Sequence, residues 1–189
     1  MIAISLILLS PLFVVIGLLV KLTDGGPILH IARRMGRYGR TFGLFKFRTM
    51  VVGAAAVGPG VTGATDARVT RIGAFLRRTK LDELPQLVNV LRGEMELVGP
   101  RPEDPRYLSY YTRDQLRILD VRPGITSPTS IAYADESQIL VGDDWEGTYV
   151  REVLPAKLDM ELMALHECSF WEEVREVLHT LWVLARRDA

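Results

Sequence analysis

From Met1 to Val20 the chain carries no charged side chain; beyond it, apolar and polar positions alternate at strand and helix periods. At about 1.5 Å per residue, such a segment forms a helix of about 30 Å, the thickness of bilayer hydrocarbon. A membrane helix is therefore predicted. Ser10-Pro11 falls in its middle, where proline removes a backbone donor and clashes with the preceding turn. The carbonyls it frees need partners in lipid, and Ser10 can supply one. No basic residue precedes the segment, whereas Lys21, Arg33, Arg34, Arg37 and Arg40 follow, which puts the C-terminal flank in the cytoplasm. The missing basic n-region and small-residue cleavage site argue against a signal peptide. Hydropathy alone favours a single span; the alternative is a helix broken at Ser10-Pro11 that enters and leaves by one face.

After Leu22 comes the turn cluster Thr-Asp-Gly-Gly-Pro. Ile28–Ala32 and Phe42–Arg48 read as strands of a hairpin around Gly36-Arg37-Tyr38-Gly39, with Lys46 and Arg48 on one face and Phe45 and Phe47 on the other. Val51–Thr65, rich in Gly, Ala and Val, reads as a loop. Asp66 or Thr70 opens a helix with Ile72, Phe75 and Leu76 on one side. Leu84, Leu87, Val88 and Leu91 follow i, i+3, i+4, i+7; Gly93 stops that helix, and Pro85, tolerated only in a first turn, starts it near Asp82. Gly99-Pro100-Arg101-Pro102 is a stiff extended element holding a guanidinium between two prolines. Tyr107, Tyr110 and Tyr111 precede Leu116 and Ile118 on a further predicted helix. Val121 to Ile125 is a turn, and Ser127–Asp144 reads as irregular and acidic. Residues 152–166 and 170–187 fit two amphipathic helices. On the last, Phe170, Trp171, Val174, Val177, Leu178, Leu181 and Trp182 form a broad apolar side that suits either a core or a lipid interface. There is no internal repeat and no linker long enough to split the part after the membrane segment.

Composition excludes two classes. An apolar fraction of 48% against 24% charged rules out a disordered chain, and a lone cysteine, Cys168, rules out a disulfide scaffold. The zero net charge hides a division: residues 1–101 carry 14 Lys/Arg against 6 Asp/Glu, and residues 102–189 carry 9 against 17. A basic half suggests an anionic ligand or membrane surface, although the two halves can also pair with each other.

Common catalytic signatures are absent: no P-loop, no dinucleotide fingerprint, no HExxH and no G-x-S-x-G. His30, His166 and His179 lack metal-ligand spacing. What remains is Asp82-Glu83 at the start of the Leu84–Leu91 helix. Capping explains that position by itself. Lys46, Arg48, Arg77, Arg78, Lys80 and Arg101, however, are more cations than a cap needs. An ionised carboxylate can act as a nucleophile, and two adjacent acids can hold Mg²⁺ together with substrate phosphates. These parts fit phosphoryl transfer, where positioning and charge neutralisation carry most of the catalysis. A solvated basic surface remains open as the other reading of the arginines.

The blocks Ser10-Pro11, Gly26-Pro27, Lys46-Phe47-Arg48-Thr49-Met50, Asp66-x-Arg68-x-Thr70-Arg71-x-Gly73, Leu81-Asp82-Glu83-Leu84-Pro85-Gln86-Leu87, Asn89-Val90-Leu91-x-Gly93, Val98-Gly99-Pro100-Arg101-Pro102-Glu103 and Arg122-Pro123-Gly124-Ile125-Thr126 resemble, in order and spacing, the bacterial sugar transferase family of monotopic phosphoglycosyl transferases. The resemblance implies transfer of a sugar 1-phosphate from a UDP-sugar to polyprenol (undecaprenyl) phosphate, with release of UMP and a requirement for Mg²⁺. It implies that Asp82 attacks the phosphate and carries a covalent phosphosugar. Glu83 completes a dyad that binds metal or handles protons. Arg101, framed by Pro100 and Pro102, contacts the nucleotide, and Lys46 and Arg48 face lipid or substrate phosphate; Arg77 is a further candidate for substrate binding.

It further implies a helix-rich α+β fold with one short hairpin. A re-entrant membrane helix over residues 1–22, broken at Ser10-Pro11, would precede a membrane-associated catalytic domain over 23–189 at the cytoplasmic face of the inner membrane. The expected partners are the UDP-sugar, polyprenol phosphate and the bilayer, with no nucleic acid; a homo-oligomer is compatible with the sequence. The rival class is a non-catalytic anchored module that binds anionic lipid or nucleotide, and a Mg²⁺-dependent phosphatase is a third reading. Two stretches depart from the family pattern: Leu29-His30-Ile31-Ala32, and the run after Thr126, a region that bears on sugar choice.

Overall fold

The computed structural model describes residues 2–54, 61–63, 65–140, 144–165, 175–180 and 182. The chain forms two compact units: Met1–Ala32 with Gly43–Gly58 and Asp66–Gly93, and Arg33–Phe42 with Pro59–Thr65 and Glu94–Ala189. The described residues are helix-rich, with two small two-stranded sheets.

The first unit opens with α1 (Ile2–Asp24), which runs through Ser10 and Pro11 as one element rather than breaking there. The physical reason is local. Pro11 cannot donate to the Ile7 carbonyl four residues back, and the Ser10 hydroxyl does so instead, at 2.7 Å. Gly25, at φ +72°, ends the helix by donating its N–H to the Lys21 carbonyl. The helix is long and apolar enough to cross a membrane. Ile4, Ile7, Leu8, Val14 and Leu18 are exposed, while Ile16 and Val20 join Phe47 and Leu76 in a core flanked by Leu12, Phe13, Ile72, Leu81 and Leu84.

The predicted hairpin is present with shifted bounds: β1 (Leu29–Met35) pairs with β2 (Thr41–Phe47), and the chain reverses through Arg37–Gly39 with Tyr38 at φ 59°. Its base belongs to the first unit and its tip to the second. Of the predicted 51–65 loop, residues 55–60 and 64 lie outside the described residues.

Thr70, not Asp66, caps α2 (Arg71–Arg78): its hydroxyl accepts from the Gly73 N–H at 2.9 Å. Ile72 and Leu76 face the core as expected, but Phe75 is exposed beside Arg78, whose guanidinium lies 5.8 Å from its ring.

The single helix expected from Asp82 to Leu91 is instead a 3-10 turn, Leu81–Glu83, followed by α3 (Gln86–Leu91), with Leu84 and Pro85 in right-handed conformation between them. Gly93, at φ +72°, stops it where predicted. The buried face is not the apolar one. Asp82, Pro85, Gln86 and Asn89 are buried, whereas Leu84, Leu87 and Val88 are half-buried and Leu91 is 56% exposed. Periodicity identifies the apolar side of a helix but not what covers it, and here Leu84 packs toward the core that contains α1.

In the second unit β3 (Glu96–Val98) runs parallel to β4 (Gly124–Thr126), in register Glu96 to Gly124 and Val98 to Thr126. The helix predicted around Tyr107 to Ile118 is two 3-10 turns, Pro105–Tyr110 and Gln115–Asp120. Pro105 starts the first and Tyr111 ends it in extended conformation. The Thr112 N–H then bonds the Gln115 side chain at 2.9 Å rather than continuing a helix.

The stretch predicted as irregular contains α4 (Pro128–Ala132), capped by the Ser127 hydroxyl, and α5 (Glu136–Ile139); residues 141–143 lie outside the described residues. α6 (Trp145–Thr148) passes through a π-helical turn, Tyr149–Val153, into α7 (Leu154–Ala164), which corresponds to the predicted 152–166 helix. Tyr107, Ile118, Leu140, Tyr149, Val153, Leu154 and Leu158 form this unit's core with Val61. Of the last predicted helix only 175–180 and 182 are described, all helical; Phe170, Trp171, Val174 and Leu181 lie outside the described residues, and Trp182 is exposed.

Candidate active site

The site is built in the first unit by three consecutive turns of chain. At the end of α2, Thr79 returns its hydroxyl to the Phe75 and Leu76 carbonyls, and Lys80 adopts φ 56°, a left-handed conformation that costs a non-glycine residue energy. That reversal folds Leu81–Glu83 inward. Asp82 is 6% exposed, and its Oδ1 has no hydrogen-bond partner among the described residues. Burial pushes the Asp82 carboxyl above its ordinary value; the Lys46 charge opposes that rise, the Glu83 charge adds to it, and Lys80 and Arg77 oppose it.

β2 delivers Lys46, whose ammonium donates to Glu83 Oε1 at 2.9 Å. The strand is held in place by Asn89, which is fully buried. Its Oδ1 accepts from the Phe45 N–H at 3.0 Å and its Nδ2 donates to the Gly43 carbonyl at 2.8 Å. Arg77 is directed by Thr49: Nε donates to Thr49 Oγ1 at 2.8 Å. Burial pushes the Arg77 guanidinium below its usual range, against the pull of the Asp82 and Asp66 charges. The packing of α2 on Thr49 needs Gly73, because a Cβ there would stand 1.9 Å from the Thr49 carbonyl oxygen.

The sequence-predicted residues therefore separate. Asp82, Glu83, Lys46 and Arg77 form one charged group. Arg48 is buried and committed elsewhere in the same unit: it donates to both Asp24 carboxylate oxygens, to the Pro27 carbonyl at 2.6 Å and to the Met50 carbonyl, which ties the end of α1 to the end of β2. Arg101, Pro100 and Pro102 belong to the second unit. There the Arg101 N–H donates to Glu161 Oε1 at 3.1 Å, and the same oxygen accepts from Ser127 Oγ at 2.9 Å. Next to this segment is a cavity of about 360 Å³ walled in part by Gly99, Pro100, Ser127 and Glu161. The sequence places Gln86, Asn89 and Thr49 inside the family blocks but assigns none of them a role. The signal for the first two was present, since Asp82, Gln86 and Asn89 are spaced i, i+4, i+7, a polar stripe at helix period.

The pair Asp82-Glu83 suits Mg²⁺ of the kind that binds through one or two carboxylates plus substrate phosphates. The unpartnered Asp82 Oδ1 is an available hard oxygen. Among the described residues there is no cluster of three or more His, Cys, Asp or Glu that would make an all-protein cage.

The family model described as bacterial sugar transferase matches residues 1–187. The chain is similar to the undecaprenyl-phosphate glucose phosphotransferase of Komagataeibacter xylinus, 35% identical over 183 residues, which cover 93% of this chain and 32% of that protein. It is similar to the UDP-glucose:undecaprenyl-phosphate glucose-1-phosphate transferase of Escherichia coli, 36% identical over 183 residues, covering 94% and 37% respectively. It is also similar to the UDP-N-acetylgalactosamine-undecaprenyl-phosphate N-acetylgalactosaminephosphotransferase of Aeromonas hydrophila, 35% identical over 151 residues, covering 75% and 36%. The chain thus spans about a third of the length of these curated relatives.

Proposed function

Since the chain belongs to the bacterial sugar transferase family, we propose that it moves a sugar 1-phosphate from a UDP-sugar to undecaprenyl phosphate and releases UMP. The observation that carries the reading is Asp82: a buried carboxylate with an unpartnered oxygen, close enough to Lys46, Lys80 and Arg77 to feel their charges. A buried oxygen without a partner calls for an explanation, and use in catalysis or in ion binding supplies one. The relatives' names support a sugar phosphate as the transferred group and undecaprenyl phosphate as acceptor.

In the first step an Asp82 carboxylate oxygen attacks the sugar-bearing phosphorus. The bond from that phosphorus to the bridging oxygen breaks, and the electron pair leaves with UMP. In the second step an oxygen of the lipid phosphate attacks the same phosphorus, and the bond to Asp82 breaks. Two displacements let one carboxylate serve two bulky substrates in turn. Lys46, held by Glu83, and Arg77, held by Thr49, offset phosphate charge. Mg²⁺ held by Asp82 and Glu83 would neutralise further phosphate charge. With Asp82 only 6% exposed, its surroundings must open for the donor to reach it.

The acceptor's tail stays in the bilayer, so the nucleophile has to work at headgroup depth. The exposed apolar side of α1 supports membrane association. The finer proposal is that α1 enters and leaves by the cytoplasmic face of the inner membrane, with Ser10-Pro11 as the weak point where it bends. Cysteine labels at residues 2 and 22, in a Cys168→Ser background, should then react only from the cytoplasmic side; labelling of residue 2 from outside means a span.

The activity itself is tested by intact mass. Protein given UDP-sugars and Mg²⁺ should gain one phosphosugar, and Asp82→Asn should gain none. A folded wild-type protein whose mass stays unchanged across the donor panel refutes the transferase and favours an anchored binding module.

A further inference from the structure

Four buried side-chain atoms lack a hydrogen-bond partner among the described residues, and two of them lie within five residues of each other: Asp82 Oδ1 and Gln86 Nε2. Gln86 is 2% exposed. Asp82, Gln86 and Asn89 are all buried while Glu83, Leu84, Leu87 and Val88 between them are not, which puts the three on the inward side of this stretch. The two amides on this stripe behave differently. Asn89 uses both ends of its amide on β2 and acts as a latch. Gln86 Nε2 is an unused donor and Asp82 Oδ1 an unused acceptor, both buried, and the two do not bond each other.

A buried amide nitrogen without a partner lowers stability, and an apolar residue of similar shape would remove that cost. We propose that Gln86 is a further catalytic residue, whose Nε2 donates a hydrogen bond to a non-bridging oxygen of the phosphoryl group while Asp82 attacks it and carries it. This rests on the transfer reaction proposed above. Charge develops on those oxygens during each displacement, and a donor in a site poor in water stabilises it more than one facing bulk water would. The amide remains neutral throughout, and no proton or bond is exchanged with it.

The decisive variant is Gln86→Met, which keeps the length and loses the donor; Gln86→Glu, which keeps the shape and replaces the donor by an acceptor, is the second. For each, the rate of phosphosugar loading onto Asp82 in a single turnover is measured, together with KM for the donor and the denaturant midpoint. Loss of one such donor lowers turnover by about 10²–10³-fold in comparable sites. Both variants should load at least about tenfold more slowly, with kcat reduced more than KM is raised, and Gln86→Met should unfold at the same midpoint as wild type or a higher one.

Loading by Gln86→Met within about twofold of wild type overturns the proposal. So does a loss of rate that comes with a lower midpoint, because Gln86 is then a packing residue. If wild type itself gains no phosphosugar, the transferase reading fails and Gln86 falls with it. If wild type loads and Gln86→Met loads equally well, the role of Gln86 alone fails.

Discussion

Asn89 is the clearest place to test how the site is held. It is fully buried, and both ends of its amide are used on β2. Asn89→Ala would strand the Phe45 N–H and the Gly43 carbonyl, each at about 1–3 kcal/mol, or about 2–6 kcal/mol together. Both strand residues are only half-buried, so water can reach them in part. That places the expected loss in the lower half of the range, at about 2–3 kcal/mol. Asn89→Asp keeps the acceptor for Phe45 but sets a carboxylate oxygen against the Gly43 carbonyl. Protonation would restore a donor, so the folded-state pKa of that carboxyl should be raised. Its stability is then full at low pH and lost as pH rises through the folded value. Urea unfolding in detergent, with the m-value checked for constancy, measures both effects. Lys46 follows Phe45 in the chain, so a loosened strand should also slow phosphosugar loading through the Lys46–Glu83 pair. A shift below about 0.5 kcal/mol for Asn89→Ala, the size of an ordinary surface change, refutes the latch.

Three further outcomes follow from the same geometry. Gly73→Ala puts a methyl group 1.9 Å from the Thr49 carbonyl oxygen; it should cost at least about 1–3 kcal/mol in unfolding free energy and lower activity by displacing the Thr49 that directs Arg77. Because burial holds the Asp82 carboxyl above its ordinary 3.8, its ionised form strains the fold as pH rises through the folded value. Asp82→Asn should therefore unfold later than wild type at pH 7, with the gap closing as pH falls toward 3.8; equal midpoints at pH 7 argue against it.

In the second unit, buried Lys157 donates to Glu103 at 2.9 Å, Glu136 at 2.7 Å and the Tyr149 hydroxyl at 3.2 Å. Lys157→Met should cost about 2–4 kcal/mol, mostly by leaving the largely covered Glu103 carboxylate without its ammonium, since Glu136 is more exposed. Burial pushes Glu103 up, but Lys157 more than cancels this and holds it below 4.5; the wild-type contribution is thus lost as pH falls from 4.5 through the folded value, and a midpoint that stays flat across that window refutes the pairing.

What the sequence made legible was local. Thr70 as a cap, Gly93 as a helix stop, the hairpin around Gly36 to Gly39 and Ser10 as the donor that stands in for the missing Pro11 N–H each depend on neighbours a few residues away. What it hid depends on contacts distant in sequence. Glu103, Glu136 and Lys157 meet only in the folded chain, and Arg48 reads as a phosphate ligand until Asp24 is seen to occupy its guanidinium. The 3-10 turns near Tyr107 and Gln115 carry apolar residues at spacings that an α-helix would also satisfy, and side-chain bonds decide between them. The acidic composition of 127–144 masked Ser127-Pro128, an N-cap followed by a first-turn proline.

The reversed face of residues 81–91 links these observations to function. In a soluble protein the apolar stripe Leu84, Leu87, Val88 and Leu91 would be the buried one, and Asp82, Gln86 and Asn89 would meet water. Here Leu84 packs toward the core that includes Ile16 and Val20 of α1, and the polar stripe is the sealed one. Leu87 and Val88 stay half-buried and Leu91 exposed on the apolar side, as much of α1 is, so both offer apolar surface to a bilayer. On the proposed function one short stretch of chain would serve two tasks: its apolar side would meet the bilayer, and its polar side holds the carboxylate. A phosphate headed by a lipid that stays in the bilayer needs a nucleophile at a fixed depth more than it needs one open to bulk water. On this reading, the burial of Asp82 follows from where the chemistry has to happen.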